Sequence, residues 1–177
     1  MKSDLEEIIR RGENIKVEFK SWIKAKNLKE RINLAVDELI AFANTKGGTV
    51  YFGIEDNGEI TGCFNYDCQQ IIERIYDKTR PALFCEIEEL EYNGFKILAI
   101  SVDNDGLTYA TTDGKCLKRL GKNSKPYYPE EMSYRYSVKQ SPDFSAQIIT
   151  DSCVEDINLI DVYNLKEKLR IRDSKST

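Results

Sequence analysis

Between Leu28 and Asn44 the chain places Ile32, Val36, Leu39, Ile40 and Ala43 at helical spacing, and Gly47-Gly48 follows at once. Directly after the glycines comes the apolar run Thr49-Val50-Tyr51-Phe52-Gly53-Ile54. A helix with one apolar face that runs through a glycine stop into a buried strand commits both elements to a common core. The other elements are read around this pair. A short amphipathic helix opens the chain and Gly12 ends it, after which Lys16-Val17-Glu18-Phe19-Lys20 alternates with the period of a half-buried strand. Asp56-Asn57-Gly58-Glu59 is a turn signal, with Ile60-Thr61 as a short return strand. A second amphipathic helix is predicted from Asp67 to Thr79, closed by Pro81. Leu83 to Tyr92 and Phe95 to Val102 flank Asn93-Gly94, the dipeptide favoured in two-residue hairpins. Further strands are predicted at Thr108 to Thr112 and Cys116 to Leu120, around the Asp113-Gly114 turn, and a helix opens at Pro129.

Strands alternating with helices around a central hairpin predict an α+β fold, a mixed β-sheet flanked by helices. Residues 1–139 are expected to form this domain. Residues 140–177 are expected to supply a polar connector and a C-terminal helix, either docking on a partner subunit or leading to a further domain.

Histidine is absent, which excludes imidazole bases and every nucleophilic triad built on them. The cysteines at 63, 68, 85, 116 and 153 are odd in number and show no C-x-x-C spacing, so neither a disulfide framework nor a zinc site is expected. No apolar run approaches the roughly 20 residues that span a bilayer, and the charged N-terminus lacks a signal core; a cytoplasmic protein with no membrane role is expected.

The net charge of −4 works against phosphate binding, but the charge is unevenly spread. Arg10 to Arg31 is rich in Lys and Arg, Lys115 to Lys125 contains no acid at all, and Glu86, Glu88, Glu89 and Glu91 collect acidity elsewhere. A patchy surface of this kind can hold a polyanion despite its overall sign; the alternative is that both basic runs are solvated faces.

Several stretches, in order, resemble one family. Glu13-Asn14-Ile15-Lys16-Val17-Glu18-Phe19-Lys20 resembles the E-x4-E-F-K opening of the Schlafen AlbA-like domain, and Ala41-Phe42-Ala43-Asn44-Thr45-Lys46-Gly47-Gly48 its A-F-A-N-T-x-G-G signature. Phe52-Gly53-Ile54-Glu55-Asp56 is similar to its strand ending in G-V-x-D, and Arg119-Leu120-Gly121-Lys122-Asn123-Ser124 to its R-x-G-x-x-S segment. The resemblance implies nucleic-acid binding. Members in bacterial transcriptional regulators are described as DNA-binding modules, and some animal Schlafen proteins are endoribonucleases acting on transfer RNA.

Carried over, the nuclease pattern places its three carboxylates at Glu13, Glu18 and Asp56, with Glu55 as the other choice for the third. Such a trio suits Mg2+ or Mn2+, hard cations that take carboxylate oxygens and lower the pKa of bound water for phosphodiester cleavage. The alternative reading makes them loop-end carboxylates engaged in caps and salt bridges. Expected nucleic-acid contacts are Lys16, Lys20, Lys24, Lys118, Arg119 and Lys122, and a homodimer is expected to complete the two-lobed cleft of the animal proteins. Asn44-Thr45-Lys46-Gly47-Gly48 leads from helix to strand, the reverse of a phosphate cradle, so no bound nucleotide is expected.

Overall fold

A computed structural model describes residues 2–140. The chain divides into two compact units, Met1–Arg135 and Tyr136–Thr177. The predicted connector and C-terminal helix lie outside the described residues.

Helix α1 (Lys2–Arg11) precedes strand β1 (Val17–Lys20), and helix α2 (Leu28–Ala43) follows. Asn27 caps α2, its side-chain oxygen accepting from the Glu30 N–H at 3.0 Å. The apolar face from Ile32 to Ala43 is buried. Both glycines after it are required. Gly47 adopts φ +69°, and a Cβ there would lie 2.8 Å from the Val102 carbonyl oxygen. A Cβ on Gly48 would fall 2.5 Å from the Phe42 ring. This close approach lets strand β2 (Gly48–Phe52) start directly beneath the helix that leads into it.

Helix α3 (Cys68–Asp77) and the short strand β3 (Thr79–Arg80) come next, then β4 (Glu86–Tyr92) and β5 (Phe95–Val102). Asn93 and Gly94 turn this hairpin with φ of 51° and 83°. The main sheet has the order β1-β2-β5-β4, with β1 parallel to β2 and the other pairs antiparallel. One core joins α1 to the sheet through Leu5, Phe19, Tyr51, Ile54, Ile97 and Ala99. A larger core contains α2, α3 and the opposite face, centred on Trp22, Leu39, Phe42, Phe52, Leu98 and Ile100.

Strands β6 (Ala110–Thr111), β7 (Leu117–Leu120) and β8 (Asn123–Pro126) complete the domain before helix α4 (Pro129–Gln140). The pairing differs here from the expectation. β6 pairs with β3, and β7 pairs with β8 across Gly121 instead of with β6 across Asp113-Gly114. The reason is the buried Asn44 side chain. Its amide donates to the Tyr109 and Leu117 carbonyls, both at 2.8 Å, and its oxygen accepts from the Tyr109 N–H at 2.7 Å. Those backbone groups are no longer free for a β6–β7 ladder. The predicted return at Ile60-Thr61 is a single bridge between Ile54 and Ile60. No helix among the described residues is long and apolar enough to cross a membrane.

Candidate nucleic-acid interface

β7 alternates, burying Leu117 and Arg119 and leaving Leu120 at the hairpin tip in solvent. The Arg119 N–H donates to the Thr45 hydroxyl at 2.9 Å, and that hydroxyl donates to the Ala41 carbonyl at 2.8 Å. Asn44 and Thr45 therefore clasp the β7–β8 hairpin to the end of α2. The Arg119 side chain is 0% exposed, so its donors must look for partners inside the protein, and only Nε is left without one. One terminal nitrogen, Nη1, donates to Glu38 Oε2 at 2.7 Å and to the Ser124 hydroxyl at 3.2 Å. The other, Nη2, donates to the carbonyls of Asn14 at 2.9 Å and Lys122 at 2.8 Å. The guanidinium carbon lies 4.6 Å from the centre of the Phe42 ring.

Glu18 projects into the same space. Its Oε2 is 3.0 Å from Arg119 Nη1 without hydrogen-bond geometry, and its Oε1 accepts from Lys20. Lys20 Nζ is also 3.3 Å from Glu38 Oε1, and the Ser124 hydroxyl donates to Glu38 Oε2 at 2.5 Å. Two cations thus face two carboxylates. Burial pushes the Glu18 carboxyl upward, opposed by the Lys20 hydrogen bond. Burial draws the Lys20 ammonium down, but its bonds and charges from Glu18 and Glu38 carry it above its ordinary value.

Of the other two expected ligands, Glu13 is near enough to Glu18 for its charge to push that carboxyl further up. Glu13 Oε1 accepts from the Phe19 N–H at 3.3 Å. Asp56 is exposed in the turn after β2, while neighbouring Glu55 is buried. Glu55 accepts from the Thr61 hydroxyl at 2.9 Å and pairs with Lys24 Nζ at 2.6 Å. Among the described residues, no three acidic or thiol side chains form a group able to hold a metal ion. A divalent ion needs several oxygens at about 2.0–2.6 Å. Glu18 here has its oxygens against Lys20 and Arg119. Cys63, Cys68, Cys85 and Cys116 are free thiols, and burial pushes Cys63 up to about 12 and Cys85 up to about 11, which disfavours their thiolates.

The six expected nucleic-acid contacts divide sharply. Lys16 and Lys122 are exposed and pair with no carboxylate among the described residues. Lys20 lies in the buried cluster, Lys24 is held by Glu55, and Lys118 is held by Glu131. Arg119 is sealed from solvent and organises the surface from beneath. Its bonds to the Asn14 and Lys122 carbonyls and to Thr45 bring together three segments, each with an exposed lysine: Lys16, Lys46 and Lys122. Lys125 is exposed on the same hairpin. Sequence reasoning missed Lys46 and Glu38. The signal for Glu38 was an acid one turn before Phe42 on a helix committed to the core.

The sequence profile of the Schlafen, AlbA_2 family matches residues 13–128. The DIP2311 protein from Corynebacterium diphtheriae has a similar fold, with a TM-score of 0.62 and 21% identity. That match covers 93% of this chain and 33% of the other, so the chain spans about a third of that protein's length. The N-terminal domain of a RecG-related protein from Nitrosomonas europaea aligns with a TM-score of 0.44 and 19% identity over 72% of this chain and 92% of that one. No curated protein matches the chain.

Proposed function

Since the chain belongs to the Schlafen AlbA_2 family, we propose that it binds nucleic acid by holding phosphates on the lysine rim around Arg119. The observation that carries this reading is the single buried guanidinium bonded to three segments whose lysines point to solvent. Exposed lysines on segments held in register by a rigid support suit a polyanion, because the protein need not order those segments on binding. The acidic strand β4 lies at the opposite edge of the sheet from β1, so its carboxylates are set apart from the rim.

On this reading the domain holds nucleic acid and leaves it intact. Cleavage by the carboxylates would require Glu18 to exchange Lys20 and Arg119 for an ion. Glu18 and Glu38 serve better as the counter-charge that lets an arginine be buried. Binding of labelled RNA and DNA at increasing salt tests the proposal. Affinity falls steeply with salt, and the Lys16→Glu, Lys122→Glu double variant loses at least about tenfold, with a shallower salt slope. Unchanged affinity in that variant overturns the rim. With transfer RNA and Mn2+, wild type and Glu18→Ala both leave the RNA uncut; cleavage by wild type alone would restore the carboxylates to catalysis.

A further inference from the structure

Beside the rim, between β7 and α4, lies an open cleft of about 610 Å³. Lys118, Tyr127, Tyr134, Glu130 and Glu131 line it, with Thr45 at its base. Its composition does not suit a phosphate. Two carboxylates face it, and of the cations among the described residues that line it, Lys118 is already paired with Glu131 and Arg119 is sealed in the charge cluster. Glu131 is further committed, accepting from the Tyr128 N–H at 3.3 Å to cap α4. Glu130 is exposed and forms no ion pair among the described residues. The ring of Tyr127 is buried with Lys118 Nζ 5.6 Å from its centre, whereas Tyr134 is 72% exposed.

A nucleobase matches these features where a phosphate does not. It is neutral, it stacks on an aromatic ring, and adenine, cytosine and guanine carry an amino group that donates to a carboxylate. The cleft adjoins a hairpin whose Lys122 and Lys125 are exposed, so a base in the cleft would leave its phosphate near cations. We propose that this cleft receives one unpaired, amino-bearing base of a single strand, stacked on Tyr134 and held at its edge by Glu130. The inference rests on the nucleic-acid reading above and adds to it a strand type and a base preference.

The test compares short single-stranded oligo-dC and oligo-dT at fixed salt, two pyrimidines distinguished by the amino group. Wild type binds oligo-dC about tenfold more tightly, the value of one discriminating carboxylate–amino contact. Glu130→Ala brings the oligo-dC to oligo-dT ratio to one. Tyr134→Ala weakens both strands about tenfold with an unaltered salt slope, and Tyr134→Phe restores them. Tyr134 is largely exposed, so a thermal melt matching wild type separates lost stacking from lost folding. Equal affinity for the two strands, insensitive to either variant, overturns the base pocket. If Lys16→Glu, Lys122→Glu still weakens binding at least about tenfold in that case, the rim survives without it; if wild type binds neither strand and no duplex, both readings fall.

Discussion

Strand β1 shows different chemistry to each side of the sheet. Toward α1 it presents Val17 and Phe19, which join an apolar core. Toward α2 it presents Glu18 and Lys20, which would ordinarily face water on an edge strand. Here the α2 helix and the β7–β8 hairpin cover them, and Glu38 and Arg119 complete a four-charge cluster. The apolar side is held by contact area, which tolerates small changes in shape. The charged side is held by matched partners, and each partner removed leaves a buried charge uncompensated. The second arrangement gives the surface lysines their fixed positions, at the cost of sensitivity to substitution.

That contrast can be broken most severely at Arg119. Arg119→Ala strands Glu18 and Glu38, and urea denaturation should record a loss of about 3–5 kcal/mol, together with loss of nucleic-acid binding. Replacing all four at once, as Arg119→Met and Lys20→Met with Glu18→Gln and Glu38→Gln, should recover most of the stability and none of the binding. A loss under about 1 kcal/mol for Arg119→Ala would mean the cluster is solvated like a surface pair.

The clasp is next. Asn44→Ala takes the buried Tyr109 N–H and the Tyr109 and Leu117 carbonyls away from their shared amide partner, costing about 1–3 kcal/mol, and the amides of β7 should exchange faster with solvent. On the apolar side, Ile97→Val should cost about 0.5–1.5 kcal/mol and leave salt-dependent binding unmoved.

The smallest effect is a change in pH dependence at Glu55. Burial pushes its carboxyl up, but hydrogen bonds from Lys24, Ser21 and Thr61 outweigh burial and hold it below the ordinary 4.5. A lowered carboxylate contributes stability above pH 4.5 that disappears as pH falls through the folded value. Melting temperatures between about pH 5 and pH 3 should therefore drop less steeply in Glu55→Gln than in wild type.

Much of the fold was legible in the chain. The period of α2, the glycine stop and the Asn93-Gly94 turn are local signals, and each reports a backbone state that its own residues enforce. The strand at Cys116 to Leu120 was expected, but its hairpin at Gly121 was missed because the partner strand, Asn123-Ser124-Lys125-Pro126, has no alternation of apolar residues. The site was half legible. Glu18, Lys20 and Arg119 were singled out and do converge, but as partners of one another. Whether a lysine meets phosphate or a carboxylate depends on residues distant in sequence, as Lys24 with Glu55 and Lys118 with Glu131 illustrate.

By itself the sequence determined the class of fold, the exclusion of imidazole chemistry, and a run, Asn44-Thr45-Lys46-Gly47-Gly48, with too many special residues to be a plain helix end. These follow from composition and short-range sterics. Tertiary structure alone decided that Arg119 lies inside and Lys16, Lys46 and Lys122 outside, and that Glu18 faces cations. Charges act through space, so their roles were fixed only when α2 and the β7–β8 hairpin closed over the edge of the sheet.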